Sequence, residues 1–192
     1  PQRTTGNLNL TKNELLAYQR CAKVKNVVKL VDLFTDEAGD MYLVTNSPGK
    51  TLEDFVFKLK NDASITVKSA IALTKVIAHV ILDLHKRMII HRNICLANVH
   101  IKTGKSRKTN QLKTISSLKV GGFDLLSASK KRNKGQTELP FEDRAFAPEI
   151  MAGEAHGSPV DIWGLGQVLN QLLGFTNATY GHDLHQLVEC MV

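Results

Sequence analysis

Apolar residues recur along this 192-residue chain with more than one period, and each change of period marks an element. Thr11, with Glu14 three positions later, forms a capping-box pattern. It predicts a helix over about 11–24 with Leu15, Leu16, Ala22 and Val24 on its buried side. Two β-rich runs, 27–34 and 41–44, flank the turn-forming Asp36-Glu37-Ala38-Gly39-Asp40, which predicts a hairpin. Pro48-Gly49 interrupts the chain before a short helix beginning near Thr51, with Leu52, Phe55, Val56 and Leu59 as its apolar positions. Ile71, Ala72, Val76, Ile77, Val80, Ile81 and Leu84 recur at helical spacing and predict a long helix over about 65–87.

Residues 98–101 and 118–120 read as small strands flanking a polar loop. Residues 124–145 have no clean period and read as a long loop. A buried helix is predicted from about Val160 to Leu173, whereas the pattern leaves 176–192 unassigned. Helix, hairpin, helices, strand pair, loop and helix in that order make an α+β fold with segregated elements, not a doubly wound sheet.

Charge alters this picture locally. The chain carries 25 Lys and Arg against 18 Asp and Glu, for a formal +7. Residues 102–134 hold ten of those cations and one acid, Asp124, for +9, leaving −2 for everything else. The basic character therefore belongs to one stretch, a candidate surface for an acidic partner, a phosphate or an anionic membrane. No aromatic interleaves the lysines of its two clusters, 102–113 and 130–134, which argues against nucleic acid. A hydrophobic content of 43% excludes a disordered chain. Cys21, Cys95 and Cys190 are odd in number and widely spaced, so they favour a reducing compartment such as the cytoplasm over a disulfide framework. Secretion stays open if an upstream signal has been removed. No apolar run approaches the roughly 18 residues of a spanning helix.

Four blocks carry a resemblance. His91-Arg92-Asn93-Ile94-Cys95-Leu96-Ala97-Asn98 is similar to the catalytic loop H-R-D-x-x-x-x-N of eukaryotic protein kinases. Gly122-Phe123-Asp124 stands in the place of D-F-G, and Ala147-Pro148-Glu149 matches A-P-E. Asp161-Ile162-Trp163-Gly164-Leu165-Gly166 resembles the family's buried D-I-W-S-L-G helix. Their order and spacing over about 11–174 identify a kinase-like domain.

The resemblance implies a partial small lobe over 1–48, with a helix, a hairpin and a hinge, and a large lobe over 49–192 that ends soon after the buried helix. It implies a hydrophobic spine of Tyr18, Leu30, His91 and Phe123 anchored by Asp161. Glu14 takes the place of the helix glutamate that pairs with a strand lysine, and Glu149 that of the A-P-E acid. Thr45 falls at the gatekeeper position, Asn46 and Ser47 in the hinge, and Asn98 at a nucleotide-side metal-ligand position.

The reacting groups depart from the pattern. Phosphoryl transfer needs metal ions for charge neutralisation and a carboxylate that takes the substrate hydroxyl's proton. Asn93 replaces that carboxylate, Gly122 the metal-binding Asp, and Cys95 the basic residue two positions beyond the catalytic one. Glu142 aligns with a substrate-facing Thr. Asn98 alone is a poor site for a hard cation. A carboxylate displaced to Asp124 is the alternative ligand, although alternation along an extended chain turns it away. No G-x-G-x-x-G occurs. A group of secreted apicomplexan kinases and pseudokinases also lacks that loop, and a truncated chain explains its absence equally well.

The expectation is a pseudokinase that acts as a scaffold or allosteric regulator by binding a protein partner, such as an active kinase or an acidic or phosphorylated protein. No cofactor is expected, ATP stays open and Mg²⁺ is disfavoured. The alternative is a Ser/Thr kinase with residual or unconventional transfer. Lys105, Arg107 and Lys108, in an inserted loop, join Lys130, Lys131 and Arg132, in the activation-loop equivalent, as the expected partner-binding cations. Ser127, Ser129 and Thr137 are candidate phosphosites of that second loop.

Overall fold

The computed structural model describes residues 8–59, 65–104, 115–125, 146–176 and 179–192. Helix α1 spans Leu8–Arg20 and strands β1 (Leu30–Thr35) and β2 (Met41–Thr45) form the hairpin. Strand β3 (Lys50–Thr51) leads directly into α2 (Leu52–Leu59) and then α3 (Val67–His85). Strands β4 (Val99–Thr103) and β5 (Ile115–Val120) precede α4 (Pro148–Met151), α5 (Pro159–Gly174) and α6 (His182–Met191). This is the α+β architecture expected.

Helix α1 starts a turn before the predicted point, so Thr11 lies inside it and the capping-box reading fails. It also stops at Arg20, four residues short of the expected end. The α3 boundary follows local chemistry: the Thr66 side chain accepts a hydrogen bond from the Ser69 N–H at 3.1 Å. Residues 182–191, left unassigned by pattern, form α6.

The hairpin is antiparallel, with Leu33 opposite Leu43. Its turn is held by Asp36, whose carboxylate accepts from the Asp40 N–H at 2.9 Å and the Tyr42 hydroxyl at 2.9 Å. The second sheet runs β3-β4-β5, also antiparallel. Its first strand has only two residues and rests on Gly49. That residue has φ +105, and a Cβ there would stand 2.1 Å from the Ile101 carbonyl oxygen.

Ala70, Leu73, Ile77, Val80, Ile81 and Leu84 recur on the buried face of α3, which packs against α5, whose Val168, Leu169, Leu172 and Leu173 are buried in the same core. Each fully buried aliphatic side chain contributes about 2 kcal/mol. Tyr18 and Phe123 belong to the same core. A smaller cluster, Leu125, Phe146, Ala147, Ile150 and Val160, lies beneath α4.

Candidate functional site

The loop joining α3 to β4 is built around one buried carboxylate. Asp161, with no exposed surface, accepts from the His91 N–H at 2.9 Å, the Arg92 N–H at 2.7 Å and the His85 ring at 2.8 Å. Arg92 has φ +65, a conformation costly for a non-glycine residue, and its backbone bond to Asp161 holds it there. Its side chain donates from Nε to the Leu125 carbonyl. Burial pulls the guanidinium below its ordinary value, with Asp161 opposing, and an arginine stays charged regardless.

His91 is buried and engaged at both nitrogens. Nε2 donates to the Gly121 carbonyl at 2.9 Å, and Nδ1 accepts from the Asn93 N–H at 3.3 Å. That arrangement gives it a packing role and leaves neither nitrogen for acid–base work. Its ring lies 5.4 Å from Phe123, and Phe123 meets Tyr18 edge-on at 5.2 Å. Tyr18, Phe123 and His91 thus form a continuous stack from α1 to the loop. Leu30 is half-buried against the same core.

The groups at the reacting positions are amides and a thiol. Asn93 is buried, and the Cys95 thiol points at its Oδ1 from 3.8 Å. Asn98 turns inward: its Nδ2 donates to the Asn93 carbonyl at 2.9 Å. Gly122 has φ +73, and a Cβ there would stand 2.3 Å from Asn98 Cγ and 2.4 Å from its Oδ1. The Asn98 carboxamide fills the space that a side chain at 122 would need. The described side chains here do not fit a divalent cation, because neutral amides are weak ligands for a hard metal. Among the described residues, no group of three or more His, Cys, Asp or Glu could hold a metal ion.

Asp124 does not follow an extended chain, since residues 123–125 form a 3₁₀ turn. The alternation argument for its direction therefore fails, and its side chain lies outside the described residues. At the positions expected for a hinge, Thr45 ends β2 and Ser47 is exposed. Asn46 is clamped to Lys29: its Oδ1 accepts from the Lys29 N–H at 3.0 Å, and its own N–H reaches the Lys29 carbonyl at 2.9 Å. Glu14 and Glu149 are half-buried, on α1 and in the first turn of α4. Lys105, Arg107, Lys108, Lys130, Lys131 and Arg132 lie outside the described residues, as do Ser127, Ser129, Thr137 and Glu142.

A cavity of about 160 Å³ opens beside the loop, bordered by Asn93, Cys95, Glu53, Trp163 and Gln171. The protein kinase domain model matches residues 2–191. The chain belongs to the protein kinase domain family. One relative, the cell cycle serine/threonine-protein kinase CDC5/MSD2 of Saccharomyces cerevisiae, is 27% identical over 85% of this chain and 22% of its own length. Serine/threonine-protein kinase Nek8 of Danio rerio is 25% identical over 93% of this chain and 25% of its own. Serine/threonine-protein kinase PLK4 of Aedes aegypti is 25% identical over 88% and 20%. The chain thus spans about a fifth to a quarter of the length of these relatives.

Sequence reasoning assigned no role to two histidines that flank this loop. His85, at the end of α3, supplies the third bond to the Asp161 carboxylate, and a histidine six residues before His91 is visible in the sequence. His100 of β4 is half-buried, its Nδ1 has no hydrogen-bond partner among the described residues, and burial lowers its pKa. Among the described residues no helix is long and apolar enough to cross a membrane.

Proposed function

We propose that this kinase domain is a pseudokinase, which acts by binding a protein partner as scaffold or allosteric regulator and not by transferring phosphate. The observation that carries the reading is the Asn98 carboxamide seated at Gly122. Where the family carries a metal-binding Asp this chain has a glycine, and a side chain there would meet the Asn98 carboxamide, which supports a loss of metal binding. Asn93 supports the same reading, because an amide does not accept a proton as a base at neutral pH. The intact anchoring of the loop by Asp161 and the aromatic stack from Tyr18 to His91 favour a rigid fold with surfaces to present.

Thermal unfolding of the purified domain with ATP, in the presence and absence of Mg²⁺ or Mn²⁺, tests it. ATP with metal should stabilise the domain no more than ATP alone. A further rise in melting temperature of several degrees on adding metal would overturn the reading, since mass action then requires a metal–nucleotide site.

A second reading, residual Ser/Thr phosphoryl transfer, is favoured by the relatives that are named serine/threonine kinases. It requires Asn98 to swing out of its bond to Asn93 and Asp124 to supply a carboxylate. Metal-dependent stabilisation that is lost in both Asn98→Ala and Asp124→Ala would support it.

A further inference from the structure

Residues 30–45 carry four acids, Asp32, Asp36, Glu37 and Asp40, and no Lys or Arg, in a chain whose formal charge is +7. This acidic stretch is the β1–β2 hairpin. Its register puts Asp32 opposite Val44 and Phe34 opposite Tyr42, while Leu33 stands opposite Leu43 and Thr35 opposite Met41. Side chains alternate along a strand, so Asp32, Phe34, Tyr42 and Val44 share one face. Leu43, on the other face, is buried in the core, which turns the first face outward. There Asp32 is exposed, Phe34 is 48% exposed, and Tyr42 and Val44 are half-buried.

The outward face is held in shape. Phe34 and Tyr42 stack with ring centroids 5.0 Å apart and planes 10° from parallel. The Tyr42 hydroxyl donates to Asp36, whose carboxylate also accepts from the Ala38 and Asp40 N–H groups at 3.0 and 2.9 Å. The turn therefore accounts for Asp36 and sets its charge at the end of the face. Asp32 takes no part in that network, and its Oδ1 accepts from the neighbouring Leu33 N–H at 2.8 Å. A metal site does not account for the acids either, since no group of three or more His, Cys, Asp or Glu among the described residues could hold one. An exposed ring between carboxylates, on a strand pair fixed by its own turn, lowers the ordering cost of recognition.

We propose that the outward face of the hairpin, Asp32, Phe34 and Tyr42 with Asp36 at its end, docks an arginine-bearing segment of a partner protein. A guanidinium can lie flat on an exposed aromatic ring while it pairs with the carboxylate beside that ring. The four acids of the hairpin repel the phosphates of nucleic acid and of an anionic membrane alike. Addition of a partner strand to β1 is disfavoured, because the register shift between Leu30 and Asp32 and the charge of Asp32 interrupt its edge. None of the four residues borders the cavity beside the catalytic loop, so the surface stands whether or not the domain transfers phosphate.

The test is fluorescence anisotropy of labelled Arg-Gly and Lys-Gly repeat peptides of equal length with the whole chain at about 0.1 M salt, where charges within about 10 Å still interact. The wild type should bind the arginine peptide about fivefold more tightly than the lysine one, because only the planar guanidinium stacks on the ring. Asp32→Lys should weaken binding of the arginine peptide about tenfold, and the milder Asp32→Asn, which keeps the size of the side chain, severalfold. Phe34→Leu keeps an apolar side chain on the strand and should abolish the preference for arginine over lysine. Glu189→Lys, an exposed reversal of the same charge on α6, should leave binding within about twofold of wild type. The proposal is overturned if the wild type does not bind the arginine peptide or does not distinguish it from the lysine one. It is equally overturned if Asp32→Lys binds as the wild type does, if Glu189→Lys loses as much as Asp32→Lys, or if Phe34→Leu keeps the arginine preference.

Discussion

Replacing Asp161 by alanine removes the acceptor on which the loop is built. The two backbone N–H groups of His91 and Arg92 would be left buried without it, and the His85 ring would lose its partner. A buried donor left unsatisfied costs about 1–3 kcal/mol. His85 is partly exposed and can turn to water, so the two backbone groups set the scale, at about 4 kcal/mol. Release of Arg92 from its positive φ recovers a little of that. For a chain of this size, about 2–4 °C of melting temperature accompanies each kcal/mol, so Asp161→Ala should melt about 8–16 °C lower. Asp161→Asn keeps one acceptor oxygen and should lose about half as much. Differential scanning calorimetry of the three proteins measures this directly. A fall of less than about 3 °C for Asp161→Ala, with an unchanged near-UV circular dichroism spectrum, would refute the assignment of Asp161 as the anchor.

Gly122→Asp should destabilise by about 1–3 kcal/mol and not confer Mg²⁺ binding, because its Cβ meets the Asn98 side chain; chemical denaturation and isothermal titration with MgCl₂ check both parts. Gly49→Ala should cost about 2 kcal/mol or more, because its Cβ would meet the Ile101 carbonyl across the β3–β4 pair, and urea unfolding reads the loss. Burial lowers the pKa of His100, so the unfolded chain takes up a proton that the folded one resists. Stability from this residue is therefore present above the unfolded value near 6.5 and is lost as pH falls below it; melting curves of His100→Leu should show a shallower decline on that acid limb. Burial pushes the Cys21 thiol up to about 11, so iodoacetamide followed by mass spectrometry should find Cys190 labelled first and Cys21 last.

Elements whose burial is periodic were legible in the sequence. The span of α3 was predicted within about two residues at each end from its helical period, and the hairpin from its turn residues and β-rich runs, since β1 itself is mostly exposed. The Thr11–Glu14 pattern misplaced the start of α1 because a capping box is a local signal that also occurs inside helices. Helix α6 escaped because its inward positions, Leu184, Val188 and Met191, span a single short stripe. At the site, the substitutions Asn93, Cys95 and Gly122 could be read directly. The seating of Asn98 against Gly122 could not, since it depends on a positive φ and on a contact between residues 24 positions apart.

The central claim is that this kinase domain has lost phosphoryl transfer, and the most direct measurement is incorporation of label from γ-labelled ATP with Mg²⁺ or Mn²⁺ into the domain and a generic substrate protein. The account predicts that wild type and Asn93→Ala give the same background level. Robust incorporation by the wild type that disappears in Asn93→Ala would contradict it.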